Sequence, residues 1–385
     1  MCGIISYMDR FTGFVKDNRD VLFSFLGSKM LFVCALIITR TSFTSVLSLF
    51  DAVHYRNIAQ MGYYVDGITV FFPVIPLIIR FTGDIGLVII NQIAYLASLF
   101  FMKKLFERMK THTKTSWLLA VVAVSPLALF TSIEYTEALF LFFTVASFYL
   151  FVERKYPWLM GTLLGLAVAT RNTGSLLFFA VFIGMMIMFI QDKDKVKRAG
   201  EILMCYIPAT AISLIYPVFL QIRFGNWKVF MDAQYTYWIR IPSNIIKTTF
   251  ISLNVIFTNE YMFDGMPDTL ILFKINEILS TLLLITVAAL AAREIVLMKR
   301  ARRINIPSVV AVIYSVLFVT ALGMTIRDPQ IDCPTDSFYR YYFSLFPLFL
   351  GIGRCREKVV QISMIAVLLI TMLTAPLFCM ESFFF

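Results

Sequence analysis

The stretch MLFVCALIITRTSFTSVLSLFDAVHYRNIAQMGYY, residues 30–64, decides the fold class of this chain. Its first half is predominantly apolar and, at about 20 residues, has the length that an α-helix needs to cross a bilayer. Asp51, His54, Arg56 and Gln60 follow at once, among tyrosines. Ionisable residues at membrane level are costly, so they mark candidate functional positions. The stretch therefore predicts a membrane span that leads into a functional loop.

The composition of the whole chain extends this interpretation. Of its 385 residues 59% are apolar and 15% are charged, and the mean hydropathy is +0.80. Repeated apolar runs of about 17–25 residues predict an all-α polytopic membrane protein. The net charge of +10 does not indicate nucleic-acid binding, because the basic residues form short clusters between apolar runs. The six cysteines have no metal-ligand spacing.

We predict eleven spans in one integral membrane domain, residues 1–385. They cover 30–49, 85–102, 116–131, 135–152, 157–171, 174–191, 200–221, 269–291, 306–325, 338–353 and 359–379. Segment 67–82 is also apolar, but it is short, contains two prolines and ends near Arg80. We interpret it as a membrane-surface helix rather than a span.

The basic residues predict the topology. With these spans, 23 of the 34 Lys and Arg residues fall on one side and nine on the other. The positive-inside rule places the richer side in the cytoplasm. The predicted N-terminus, 1–29, is then cytoplasmic, and the C-terminus is external. Residues 50–84 form a long first external loop with membrane-surface helices, and residues 222–268 form a second large external loop.

Asp51 lies where the first predicted span meets the external surface. A carboxylate there can act as a general base that takes a proton from a substrate hydroxyl. Asp is also a favoured N-cap, so Asp51 can equally begin the helix of the first loop. His54 shares a helical face with Asp51. With only two histidines in the chain, a histidine-based metal site is not expected.

Three further ionisable residues are predicted on the same side. Glu137 starts a span, Arg171 lies at a turn between two spans, and Arg340 lies just inside the outer boundary of the tenth. Arginine suits bidentate phosphate binding. The alternative is that each arginine snorkels to the lipid headgroups.

Other acidic residues and motifs add no further site. Asp328, Asp332 and Asp336 are spaced four apart, but two prolines interrupt them, and we interpret the segment as a solvated loop. No P-loop or GxGxxG motif opens a helix, so no nucleotide site is expected.

The first-loop stretches FDAVHYRNIAQMGY, residues 50–63, and VFFPVIPLIIRF, residues 70–81, resemble the signature of the PIG-V family of mannosyltransferases. Phe50 stands where that family usually has Trp. The matching residues are Asp51, Ala52, His54, Tyr55, Ile58, Ala59, Gly62, Tyr63, Phe71, Phe72, Pro73 and Pro76. Weaker similarity follows in the same order in SPLALFTSIEYTEALFLF (125–142), ATRNTGSLL (169–177), FGNWKVFMDAQ (224–234) and YRYYFSLFPLF (339–349).

This resemblance implies a GT-C-type bundle and a glycosyltransferase that needs no metal or other cofactor. The donor would be a polyprenyl- or dolichyl-phosphate sugar, with mannose as the expected hexose. The acceptor would be a glycolipid, glycan or protein. The reaction would invert the anomeric centre on the extracytoplasmic face of a bacterial plasma membrane or on the lumenal face of the ER.

The resemblance also implies roles for individual residues. Asp51 would be the catalytic base, and Arg171 and Arg340 would bind the donor phosphate. The sugar and acceptor would be bound by His54, Tyr55, Arg56, Glu137 and Gln234.

Two other classes remain open. A transporter or flippase of lipid-linked sugars shares the spans and the arginines, and discontinuous helices around buried charges would favour it. A non-catalytic scaffold that binds lipid predicts that the polar residues of the first loop face solvent.

Overall fold

The computed structural model describes residues 12–13, 15–47, 49–258, 267–302 and 304–380. This part of the chain is helical except for turns and one pair of short strands. In chain order the elements are α1 Arg19–Thr39, α2 Phe43–Leu47, α3 Asp51–Met61, a 3₁₀ helix Asp66–Val70, α4 Val74–Arg108, α5 Thr115–Ala123, α6 Leu127–Phe130, α7 Glu137–Glu153, α8 Pro157–Thr170, α9 Gly174–Gln191, α10 Lys195–Phe224, α11 Val229–Thr236, β1 Arg240–Pro242, α12 Ile245–Phe257, α13 Pro267–Ala301, α14 Ile306–Gly323, β2 Thr325–Arg327, α15 Phe338–Ser344, α16 Pro347–Gly353 and α17 Glu357–Cys379.

Seven helices among the described residues are long and apolar enough to cross a membrane. They are α1, α4, α9, α10, the part of α13 from Ile271, α14 and α17. Only helices and closed barrels satisfy their own backbone hydrogen bonds in lipid. The prediction of an all-α polytopic integral membrane protein is confirmed at this level.

The count of eleven spans is not confirmed, because four of the predicted spans are short or broken. The run 116–131 divides into α5 and α6 around Ser125 and Pro126, and the run 338–353 divides into α15 and α16 before Pro347. Proline lacks the N–H that would continue the first helix of each pair. The helices α7 and α8 have only 17 and 14 residues.

The first span begins earlier than predicted. Helix α1 runs from Arg19 to Thr39, whereas the sequence indicated 30–49. Arg40 adopts a left-handed conformation (φ 54°) and its N–H bonds the carbonyl of Ile37, which ends the helix. The predicted cytoplasmic segment 1–29 therefore overlaps α1, and Lys29 lies inside the helix.

The first loop is built from short helices. The helices α2 and α3 and the 3₁₀ helix follow α1, and α4 then starts at Val74. Gly83 interrupts α4 with φ 73° and ψ 176°, a conformation open to glycine. The segment predicted as a surface helix, 67–82, is thus separated from the long apolar part of α4 by this kink.

One small sheet amends the all-α prediction. Strands β1 and β2 are antiparallel and pair Arg240 with Arg327, Ile241 with Ile326 and Pro242 with Thr325. They join the segment 222–268, which itself contains α11 and α12, to the loop after α14. The sheet holds together two segments between which the sequence predicted no contact.

The helices α8 and α10 approach each other closely. Gly161 faces Cys205 so closely that a Cβ built on the glycine would stand 1.8 Å from the backbone oxygen of Cys205. Gly165, one turn later, meets Ala209 in the same way at 2.9 Å. Small residues at this spacing let helices approach closely within a membrane.

We expect Gly161→Ala to lower the free energy of unfolding by about 1–3 kcal/mol, since the added methyl group forces α8 and α10 apart. Thermal unfolding of the detergent-purified protein measures the change. Gly200→Ala on α10 is the matched control, because nothing lies within 4 Å of a Cβ there. It should be neutral or stabilise the helix by about 0.5–1 kcal/mol. Equal stability of Gly161→Ala and wild type would contradict the close contact.

Candidate active site

Asp51 is the first residue of α3, and it does not act as the N-cap. The cap position is held by Phe50, which has φ 49° and makes no side-chain cap hydrogen bond. A positive φ is uncommon for a residue other than glycine and is found more often at functional sites than elsewhere. The Asp51 side chain turns instead to Arg340, whose Nη2 donates to Asp51 Oδ2 at 2.9 Å. The carboxylate keeps 21% of its surface exposed.

Arg340 lies on α15 and is almost fully buried, with 3% of its side chain exposed. Its Nε stands 3.2 Å from Glu137 Oε1, so one guanidinium group bridges two carboxylates. The rings of Tyr135 and Tyr341 lie with centroids 5.0 Å from its Cζ. Its Nη1 is buried and has no hydrogen-bond partner. A buried donor without a partner is costly, and this one is available to an anionic ligand.

Arg171 completes the group. It follows α8, and its Nη1 donates to Glu137 Oε1 at 3.1 Å while its guanidinium lies 4.2 Å from the centroid of the Tyr341 ring. Glu137, the first residue of α7, has no exposed surface. Asp51, Glu137, Arg171 and Arg340, which we call the four-residue cluster, come from four distant segments. The cluster holds two cations and two anions, so its formal charge is zero.

An aromatic group lies beside the cluster. The His54 ring stacks on Phe71 with centroids 4.7 Å apart, and Trp238 meets His54 edge-on at 5.5 Å. Tyr55 contacts the edge of Phe71 at 5.2 Å. Trp238 donates its indole N–H to the carbonyl of Gly67 at 2.8 Å. Sequence reasoning did not single out Trp238, which follows the supporting motif at 224–234.

Two predicted site residues lie apart from the cluster. Arg56 makes a two-point contact with Glu134, at 2.6 and 2.7 Å, and lies 3.3 Å from Asp84. It therefore ties α3 to the turn before α7 rather than contacting Asp51. Gln234 is half-buried on α11, which packs on the 3₁₀ helix. The hydrogen bonds of the described residues do not join it to the cluster.

Lys29 is half-buried and makes a contact that the sequence interpretation missed, because the predicted span started at Met30. Its Nζ donates to Ser132 Oγ at 2.9 Å and to Thr131 Oγ1 at 3.3 Å. On the same segment, Asn91 donates to the carbonyl of Ile133 at 2.8 Å. These bonds hold the turn that leads into Glu137. The apolar run VLFSFLGS directly before Lys29 was the signal that the span begins earlier.

The acidic loop after α14 is not solvated as predicted. Asp332 and Asp336 both form ion pairs with Arg327, and Asp336 Oδ2 lies 3.0 Å from its Nη2. Asp336 is 2% exposed. In the described part of the chain no group of three or more His, Cys, Asp or Glu side chains is placed to hold a metal ion.

The environment of His54 predicts a pH dependence of stability. Burial lowers the pKa of His54, and the nearby carboxylate of Asp51 opposes this effect. A folded-state pKa below the unfolded value means that the unfolded chain binds more protons in acid. The stability that the buried, neutral His54 contributes is therefore present above the unfolded pKa, about 6.5. It is lost as the pH falls toward the folded pKa.

We expect His54→Gln to lose less stability than wild type when the pH is lowered from about 7 to about 5, the range in which an unperturbed histidine titrates. Thermal midpoints across that range measure the difference. His112→Gln is the control and should follow the wild-type profile. Parallel profiles for wild type and His54→Gln would contradict the assignment to His54.

Together, the fold and the site define an all-α integral membrane protein with a buried, charge-balanced cluster at the start of its first loop. The chain matches no protein-family model and no curated protein. The resemblance to the PIG-V family stays a prediction carried by the motifs themselves.

Proposed function

We propose that this protein is an integral membrane glycosyltransferase that moves a hexose, with mannose as the first donor to test, from a polyprenyl-phosphate carrier to a hydroxyl group. The acceptor is a glycolipid, glycan or protein, and the reaction inverts the anomeric carbon. The observation that carries the proposal is the contact of Arg340 with both Asp51 and Glu137, beside Arg171. One site thus combines a partly exposed carboxylate with two guanidinium groups.

In this scheme Asp51 accepts the proton of the acceptor hydroxyl. The hydroxyl oxygen attacks the anomeric carbon and forms the new glycosidic bond. The bond between that carbon and the phosphate oxygen breaks, and the electron pair leaves with the polyprenyl phosphate. Arg171 and Arg340 stabilise the charge that develops on the phosphate.

The charge balance of the cluster gives the donor a second role. Both arginines are engaged by carboxylates before substrate binds, whereas the buried Nη1 of Arg340 has no hydrogen-bond partner. A phosphate that binds Arg340 competes with Asp51 for it. In this scheme the phosphate binds Nη1 and shares the charge of Arg340 with Asp51, which weakens the ion pair that holds the base before the donor is bound.

Burial of the cluster argues against a non-catalytic scaffold, for which these residues should face solvent. A carrier of lipid-linked sugars is the second candidate, and discontinuous helices favour it. Two helical segments are interrupted, one between α5 and α6 and the other between α15 and α16. Arg340 lies on α15. Broken helices beside buried charge are typical of transporter binding sites.

One experiment separates the two candidates. The purified protein is reconstituted in liposomes with labelled polyprenyl-phosphate mannose and a lipid extract as acceptor. A new labelled product that depends on the protein supports transfer. Movement of intact labelled donor to the other leaflet, without a new product, supports a carrier and overturns the transferase proposal for this donor.

A further inference from the structure

A second polar group lies within the bundle, away from the four-residue cluster. It consists of Asn276, Glu277 and Ser280 on α13 and of Cys333 and Thr335 in the loop after β2. Glu277 has no exposed surface, and Asn276 and Ser280 are each 2% exposed. Neither the proposed reaction nor the sequence motifs use these residues.

One oxygen of the Glu277 carboxyl is fully engaged. Oε1 accepts the backbone N–H of Thr335 at 2.8 Å and the thiol of Cys333 at 3.1 Å. Ser252 lies close to this carboxyl group. Several donors directed at one carboxyl group favour its charged form.

The charge of Glu277 is not balanced by a side chain. Glu277 belongs to no ion pair among the residues that the structure describes, and Arg327, on the same loop as Cys333, is taken up by Asp332 and Asp336. A buried carboxylate without a positive partner is strongly unfavourable. Either a proton or a cation must therefore compensate it.

Three buried oxygens in this group are unpartnered. They are Glu277 Oε2, Asn276 Oδ1 and Ser280 Oγ. The residue spacings of three and four place Ser280 on the same face of α13 as the other two. The Asn276 amide N donates to the carbonyl of Thr335 at 3.1 Å, so the amide and the carboxyl group reach the same turn. A proton on Glu277 would leave the other oxygens unpartnered, whereas a cation would satisfy all three.

We infer that Asn276, Glu277 and Ser280 bind a monovalent cation, Na⁺ in the first instance. Carboxylate, amide and hydroxyl oxygens are ligands for hard cations. The single carboxylate matches a single positive charge. A divalent ion would leave one positive charge unbalanced.

The site has a structural consequence for the loop. The cation neutralises Glu277, whose Oε1 binds the turn 333–335, and α15 with Arg340 begins three residues later. Asp336, next in the chain, binds Arg327 and so fixes β2. Cation binding therefore stabilises the fold around Arg340, and this inference stands whether or not the protein transfers sugar.

The test is the thermal unfolding of the purified protein in NaCl, KCl or choline chloride at constant total chloride. We expect Na⁺ to raise the thermal midpoint by about 2–4 °C over choline, with saturation as Na⁺ increases. Glu277→Gln should abolish the difference, whereas Glu357→Gln, an exposed carboxylate at the start of α17, should retain it.

A second variant covers the case in which Glu277→Gln does not fold. Ser280→Ala removes one ligand and should raise the Na⁺ concentration needed for half of the shift about tenfold, at the low end of the losses seen when a metal site is perturbed. K⁺ that acts like Na⁺ supports the same site. Equal midpoints of wild type in all three salts overturn the inference and assign a proton to Glu277. So does a Na⁺ shift that persists in Glu277→Gln, or a response to Ca²⁺ alone.

Discussion

We expect Asp51→Asn to reduce the proposed sugar transfer by about a hundredfold or more, within or beyond the range expected for the loss of a general base. The amide has nearly the size of the carboxylate but cannot accept the hydroxyl proton. Arg340 keeps its contact with Glu137 in this variant, so the position of the guanidinium is largely retained. The measurement is the initial rate of product formation from polyprenyl-phosphate mannose, per amount of folded protein.

Asp66→Asn is the matched control for this prediction. Asp66 lies in the same loop, at the start of the 3₁₀ helix, and it is exposed. The same chemical change there should leave the rate within about twofold of wild type, as expected for a surface position away from any special contact. Full activity of Asp51→Asn would assign a purely structural role to the carboxylate and would require another base.

The sequence predicted the fold class well because composition and apolar length alone determine it. It predicted element boundaries poorly where an apolar run exceeds one span. The run from Val21 to Phe50 is apolar at both ends, so its hydropathy does not decide where the helix lies. The left-handed backbone at Arg40 decides it. The break at Pro126 was visible in the sequence, and the hydropathy pattern outweighed it.

The sequence also identified all members of the four-residue cluster, because an ionisable residue next to an apolar run is rare. The sequence could not identify which side chains contact one another. Arg56 stands five residues after Asp51, and nothing in that spacing indicates that it pairs with Glu134, 78 residues away. Contacts between distant segments, such as that of Glu277 with the 333–335 turn, depend on the packing of whole helices.

Glu137→Gln should lower the free energy of unfolding by about 3–5 kcal/mol, the cost of breaking a buried ion pair from one side. Glu137 is fully buried and holds Arg171 at 3.1 Å and Arg340 at 3.2 Å. Without the charge of Glu137, Asp51, which contacts Arg340, is the one carboxylate of the cluster that remains to balance two arginines. Thermal unfolding and the yield of monodisperse protein in detergent measure the loss.

Glu153→Gln is the control at the other end of α7. Its carboxylate pairs with Arg108, whose side chain is 60% exposed, at 2.8 Å. The Glu153 side chain is 16% exposed, but both of its cationic partners, Arg108 and Lys155, are about 60% exposed. Because the cations stay solvated without the carboxylate, the loss should be about 0–1 kcal/mol, and this variant should unfold close to wild type. Comparing Glu137→Gln with Glu153→Gln separates the effect of breaking a buried ion pair from the effect of replacing a carboxylate by an amide.

The double variant Glu137→Gln/Arg171→Met tests the cause. If the loss comes from an uncompensated arginine, removal of Arg171 restores part of the stability, because one cation then faces one carboxylate. The double variant should be more stable than Glu137→Gln alone but, if Arg171 binds the donor phosphate as proposed, inactive in transfer. Additive destabilisation would show that Glu137 does not act through Arg171, and the charge balance of the cluster would then not explain its burial.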